Sequence, residues 1–303
     1  MTEEITYKQL APHSIQRAMR DTVEQIQVLQ DADNGVVEKV SPSPALHSGF
    51  RDLDALLGGL NPGELIIVSG NNESVMSDFL CTIATAISMD SEAPIALCTP
   101  EISIVNCQVM LFSSVGQIDK TVLLTGEFSE TDWPRLTSAM NRLQKSALYV
   151  YGEDTSQLSD LACLLRELKK YSGLSAVFVD SIAALKSDDN HMLNLQDQVI
   201  FAIQSLRSLA IELDVPIVIS MDSTETIDSY RDKPPSLRDL NLPEETIKLA
   251  DRIIFLHDNK LDIEDSSDGR LVDVTLMQNA FGTTGTASLR YIKKWGMFAE
   301  LEP

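Results

Sequence analysis

An apolar run, Glu64-Leu-Ile-Ile-Val-Ser69, breaks at Gly70 and leads through Gly70-Asn-Asn-Glu-Ser-Val-Met-Ser-Asp-Phe79 into a helix-forming stretch. A turn between a strand and a helix is where backbone N–H groups can close around phosphate oxygens. That chemistry needs glycines for the tight turn, a lysine for the outer phosphates and a Ser or Thr hydroxyl for magnesium. In this chain Val75 stands at the last glycine of the pattern, Met76 at the lysine and Ser77 at the hydroxyl. Val75 adds a β-branched side chain where the backbone must be tight, and Met76 removes the cation. Glu73 and Asp78 add acid in and beside the loop. Either one occupies the helix N-terminus in place of an anion, or both are ordinary capping carboxylates. Both readings leave out a nucleotide, so the expectation is that no cofactor is held and that ATP and magnesium binding are lost.

The elements that must position this loop follow from hydrophobic periodicity. Short apolar runs at 94–99, 147–151, 174–180 and 215–220 alternate with amphipathic stretches at 79–89, 103–116, 157–171 and near 194–213. Continuous apolar strands separated by helices predict a mostly parallel sheet covered by helices on both faces, an α/β fold. Further strands joined by hairpins are expected at 252–257, 272–276 and 287–292. In such a sheet ligands sit at the carboxyl ends of the strands, where Gly70 lies. Ahead of all this, residues 1–12 are polar and read as a flexible N-terminus. From 13 to 30 the apolar residues Ile15, Met19, Val23 and Ile26 fall on one stripe of a helix. Asp31-Ala-Asp-Asn-Gly35 ends it, residues 31–47 form a linker with Ser41-Pro-Ser-Pro44, and the main domain runs over 48–303. A lone amphipathic helix cannot bury its stripe by itself and must pack on its own domain or on a neighbour.

Several stretches together resemble one family. They are Ser48-Gly-Phe-Arg-Asp-Leu-Asp-Ala-Leu-Leu-Gly-Gly-Leu-Asn-Pro-Gly-Glu64, Thr99-Pro-Glu-Ile102, Thr125-Gly-Glu-Phe-Ser-Glu-Thr-Asp-Trp133, and the span from Phe178-Val-Asp180 to Leu206-Arg-Ser-Leu-Ala-Ile-Glu-Leu-Asp-Val-Pro-Ile217. Their order and spacing are similar to the RecA-like C-terminal domain of DnaB-family replicative helicases, over roughly residues 13–303. The helix at 13–30 stands where that family has its linker helix, and the family's N-terminal domain has no counterpart in the sequence.

The resemblance implies roles for further residues. Asp180 matches the family's Walker B aspartate and Glu101 its water-activating glutamate; a simple helix cap is the other reading of Asp180. The family's Ser-Gln sensor is Ser220-Met221 here, so Met221 marks a lost sensor. Its Lys-Asn-Arg-Asn-Gly-Pro pattern is Gln278-Asn-Ala-Phe-Gly-Thr283, which puts Gln278 at the finger lysine and Ala280 at the finger arginine. An arginine so placed contributes orders of magnitude to phosphoryl transfer. The family's DNA-facing turn is Asn241-Leu-Pro-Glu-Glu-Thr-Ile247, with Pro243, Glu244 and Glu245 in place of small and basic groups. Arg231, Lys233 and Arg238 remain upstream, and no aromatic stacking platform is visible.

Composition narrows the partners. Asp plus Glu number 45 and Lys plus Arg 24, a formal charge of −21. That surface repels phosphate backbones and argues against nucleic acid. The four cysteines form no C-x-x-C pair and read as buried reduced thiols. No apolar run is long enough to span a membrane, and a cytoplasmic protein is expected. The sequence therefore reads as a catalytically inactive DnaB-like pseudo-ATPase, not an enzyme. It would act by protein–protein contact, as an accessory or regulatory factor of a replicative helicase or a structural subunit of another assembly. The partner would be a DnaB-type helicase, or a second copy reached through the linker helix. The alternatives are a divergent ATP-dependent DNA helicase and a nucleic-acid-binding module without ATPase.

Overall fold

The computed structural model describes residues 45–301 apart from 71, 92, 188–193, 224–235, 241 and 259–268. The chain divides into two compact units, Met1–Ala45 and Leu46–Pro303. The helix expected at 13–30, with Ile15, Met19, Val23 and Ile26, lies outside the described residues, as do Arg231 and Lys233.

The second unit is built on one sheet of nine strands. They are β1 (Leu65–Gly70), β2 (Ile95–Cys98), β3 (Leu148–Tyr151), β4 (Ala176–Val179), β5 (Ile217–Asp222), β6 (Arg252–Asp258), β7 (Arg270–Asn279), β8 (Gly285–Ile292) and β9 (Met297–Ala299). Their order is β3-β2-β4-β5-β1-β6-β7-β8-β9. The pairs from β3 to β6 are parallel, and β6 to β9 pair antiparallel. All six residues of β1 are buried, as a strand covered on both faces requires. Ile66 and Val68 enter one core and Leu65 and Ile67 the other, following the period of two.

Eight α-helices among the described residues flank the sheet: α1 (Arg51–Leu57), α2 (Glu73–Asp90), α3 (Ile104–Gly116), α4 (Lys120–Thr125), α5 (Asp132–Lys145), α6 (Leu158–Ser172), α7 (Leu195–Leu213) and α8 (Glu244–Ile247). Helices α1, α2 and α3 bury Leu53, Phe79 and Leu111 against one face. Helices α6 and α7 bury Leu161, Leu165, Ile203 and Leu206 against the other. Local capping sets several starts: Asp197 N donates to Asn194 Oδ1 at 2.8 Å ahead of α7, and Thr121 N donates to Asp119 Oδ1 at 2.8 Å at α4.

Helices α1, α4, α5 and α8 were not expected from the sequence, and two further elements differ from it. Helix α2 begins at Glu73 rather than Phe79, because Val75 N and Met76 N both donate to Asn72 O at 3.1 Å. The short strand β9 has no periodic signature of its own; it is held where Phe298 packs edge-on to Phe79 with ring centroids 5.2 Å apart.

One buried ion pair closes the far end of the sheet. Arg252 Nη2 lies 3.1 Å from Glu64 Oε1, with both side chains buried, and Arg252 Nη1 donates to Gly59 O at 2.6 Å. Burial pushes the Glu64 carboxyl up, against the opposing pull of Asn61 and Arg252. Removing one partner of a buried pair leaves the other charge unpaired, which costs more than the pair contributes. Arg252→Met should therefore lower stability in urea unfolding by about 3–5 kcal/mol. The double variant Arg252→Met, Glu64→Gln should recover part of that loss.

Candidate functional site

The site lies at the carboxyl ends of β1, β2, β4 and β5. Gly70 closes β1 against β6: a Cβ there would lie 3.0 Å from Leu256 O and 3.2 Å from Met76 Cγ. Only glycine permits that approach without displacing the Leu256 backbone. Met76 is 2% exposed and, with Val75, belongs to the core beneath the loop. The position expected to aim a lysine at phosphate thus holds a core side chain. Because α2 starts at Glu73, the N–H groups of Val75 and Met76 bond Asn72 O and take part in the helix.

The neighbouring half of the site is assembled differently. Asp180, one residue beyond β4, is buried. It accepts from Ser220 Oγ at 2.8 Å, and Ser181 N donates to Ser220 Oγ at 2.7 Å. Ser77 also bonds its carboxylate. Burial raises the Asp180 carboxyl first, the Ser77 and Ser220 hydrogen bonds lower it, and Glu73 and Asp78 raise it further. Asp180 is therefore not the cap of the short 3-10 turn Ile182–Ala184, which has no side-chain cap. Ser181 follows at φ 67, a left-handed conformation that a non-glycine residue adopts only when its surroundings enforce it. Glu101 sits in the turn after β2, where burial and then Glu73, Asp180 and Asp222 raise its carboxyl. The sheet edge thus brings together Ser77, Glu101, Asp180 and Ser220, a hydroxyl and carboxylate set of the kind that binds hard cations. Among the described residues no group of three or more His, Cys, Asp or Glu is arranged to hold a metal ion.

The other candidate residues lie apart. Met221 is buried in β5 and belongs to the core packed by α6 and α7. Gln278 turns inward, donating from Nε2 to Ala250 O at 2.7 Å, while Ala280 is exposed just beyond β7. Phe281 next to it is exposed, and the Arg252 guanidinium stands 5.4 Å from its ring centroid. Pro243 starts α8, and Glu244 pairs with Lys248 at 2.7 Å on the surface. Arg238 is exposed.

Three expectations need correction on geometry. Asp78 does not stand in for an anion at the helix N-terminus: it lies in the second turn and accepts from Lys120 Nζ at 2.7 Å and Tyr291 Oη at 2.8 Å. Nothing in the sequence linked residues so far apart. An aromatic stack does reach the surface: Phe128 and Trp133 have ring centroids 4.7 Å apart and planes 27° apart. Cys81, Cys98 and Cys107 are buried but Cys163 is exposed. Burial pushes the Cys98 thiol up to about 12, which leaves it unreactive.

A parallel sheet with a loop after its first strand, an acid after its second and an Asp–Ser pair across its fourth and fifth places the chain among RecA-like ATPase-type domains. Comparison narrows the class to a family. The model of the DnaB-like helicase C terminal domain matches residues 45–300, and the chain belongs to that family. It is 25% identical over 289 residues to the replicative DNA helicase DnaB of Geobacillus stearothermophilus, covering 95% of this chain and 62% of that protein. It is 25% identical over 255 residues to the replicative DNA helicase DnaC of Bacillus subtilis (strain 168), covering 84% and 56%. The chain thus spans about three fifths of these relatives' length. Its fold is similar to that of a DnaB-like replicative helicase whose structure was described together with its interactions with primase. The TM-score is 0.80 at 21% identity, over 95% of this chain and 72% of that one.

These relatives overturn the expectation that the chain is not an enzyme. The proteins it matches across most of its length are named replicative DNA helicases, and nothing in the comparison marks a loss of activity. The expectation rested on side-chain types at a few positions. Losing a lysine removes one cation, while the fold and the Ser77, Asp180 and Ser220 contacts persist.

Stability should depend on pH through the raised Asp180 carboxyl. The folded state holds its proton more tightly than the unfolded chain, so the ionised form costs stability as pH rises through that carboxyl's range. Asp180→Asn should raise the midpoint of thermal unfolding at neutral pH. The gain should fade as pH falls toward the ordinary aspartate value of 3.8. Calorimetry across pH checks both.

Proposed function

We propose that this chain works as a DnaB-like subunit of a helicase-type assembly, as an accessory or regulatory partner that acts through protein–protein contact. The observation that carries this reading is the apolar surface of α4 and α5. Leu124 is 66% exposed, Trp133 58% and Met140 50%, although all three are large apolar residues. Trp133, Thr137, Asn141 and Lys145 follow one another at helical spacing and, with Pro134, Ser138 and Arg142, line a shallow trough of about 670 Å³ whose side chains are mostly polar or basic. Exposed apolar side chains beside such a trough suit contact with a protein partner. The sequence supplies further apolar residues at helical spacing, Ile15, Met19, Val23 and Ile26. Gln278, turned inward onto Ala250, adds support, since a finger-position side chain bonded within its own subunit is not extended toward a neighbour. The acidic surface disfavours a nucleic-acid partner.

A second reading rests on a separate observation. Ser77, Asp180, Ser220 and Glu101 converge at one sheet edge, which suits a divergent ATP-dependent helicase motor whose metal-holding half is kept and whose phosphate-holding half is rebuilt.

One pair of measurements separates the readings: light scattering of the full chain, and titration with a fluorescent ATP analogue and magnesium. Trp133→Asp or Met19→Asp should reduce self-association or capture by a DnaB-type helicase. Unchanged mass and unchanged capture in both variants would sink the docking reading. Val75→Gly combined with Met76→Lys should strengthen nucleotide binding by roughly tenfold or more, since it restores a charge-assisted contact and a tight turn. Tight binding by the unaltered chain would instead favour the motor reading.

A further inference from the structure

Two thiols meet beneath the candidate site. Cys81 lies on α2 one turn beyond Ser77, and Cys107 lies in the first turn of α3. The two helices pack against each other, and the two side chains hydrogen-bond sulfur to sulfur. Cys107 is 0% exposed and Cys81 3%. Both belong to the core on one face of the sheet, while Cys98 belongs to the core on the other. The Asp180 carboxylate acts on both sulfurs, which sets the pair close under the strand-end acid of the site.

A buried cysteine is ordinarily a small apolar residue that fills space. This pair departs from that role in two ways. Two separate helices bring the sulfurs into contact, the approach that disulfide formation requires. The two thiols are also unequal. The hydrogen bond with Cys81 lowers the Cys107 thiol, and Thr99 adds to that against the opposing effect of burial. The same bond, and then burial, push the Cys81 thiol well up. The first turn of a helix favours a thiolate. Cys107 is thus the sulfur that ionises, and Cys81 the one that keeps its proton.

We propose that Cys81 and Cys107 form a modification site, a dithiol that a peroxide oxidises to an intramolecular disulfide joining α2 to α3. The Cys107 thiolate attacks one oxygen of hydrogen peroxide. The O–O bond breaks, hydroxide leaves and takes a proton from solvent, and Cys107 becomes a sulfenic acid. The Cys81 sulfur then attacks the Cys107 sulfur. The S–O bond breaks, and the departing oxygen takes the Cys81 proton and leaves as water. Two electrons pass from the sulfur pair to one peroxide, and two waters form. The bridge ties the turn that carries Ser77 to the helix that follows Glu101, under either reading of the site.

Peptide mapping by mass spectrometry tests this on the full chain carrying Cys163→Ser, which removes the exposed thiol. The folded chain is treated with hydrogen peroxide, then denatured and alkylated with N-ethylmaleimide at mildly acidic pH. The untreated chain should take up maleimide at Cys81, Cys98 and Cys107, and the treated chain at Cys98 alone. A Cys81–Cys107 linked peptide should appear and vanish with dithiothreitol. Peroxide with dimedone should label Cys107 in Cys81→Ser and leave Cys81 unlabelled in Cys107→Ser. The linked peptide needs no substitution within the pair, so the test stands should either of those variants fail to fold. Full alkylation of both thiols after peroxide, or a bridge that includes Cys98, would overturn the proposal and leave two packing residues of the core.

Discussion

The fold depends on a constraint at β1, which is paired on both edges and buried on both faces. The side chains it carries into either core are apolar apart from the buried hydroxyl of Ser69, so the exposed polar groups of the site gather where the strand ends. That is why Gly70 and Asp180 lie at the carboxyl ends of β1 and β4 with Ser220 just inside β5, while α2 and α7 pack on the faces of the sheet. The same burial explains the cost seen in the acids at that edge, whose carboxyls are raised above the ordinary range.

The two halves of the candidate site are built differently. On the side of the loop, Val75 and Met76 pack in the core, and their N–H groups bond Asn72 O. The opposite side keeps a hydroxyl, a strand-end carboxylate and a serine in contact. A membership that spans residues 45–300 and relatives named as helicases carry more weight on the class of protein than any one substituted side chain. Residue-by-residue loss is a statement about one contact; it is not a statement about the activity of the whole domain.

The charge of the chain is also ordered at the local scale. Acid is in surplus overall, yet several buried charged groups are paired, as Arg252 with Glu64 and Asp78 with Lys120. These pairs join segments far apart in the chain, and each would be costly to leave half-made. On the outside, α5 carries an exposed tryptophan stacked on Phe128, a contact between aromatic residues that strand and helix periodicity do not report.

The alternation of apolar runs and amphipathic stretches was enough to determine the parallel sheet, the helices on both faces and the position of the loop, because burial on a repeating backbone has a period that sequence displays directly. The places of Ser77, Glu101 and Asp180 were legible through the resemblance to a known family rather than through periodicity. The start of α2 at Glu73, the inward turns of Met76 and Gln278, and the strand β9 were decided by tertiary packing. So was the partnership of Asp78 with Lys120 and Tyr291, which lie 42 and 213 residues away. Such contacts carry no period. They depend on which side chains the finished sheet brings within hydrogen-bond distance, and that is settled only when the whole domain has closed around them.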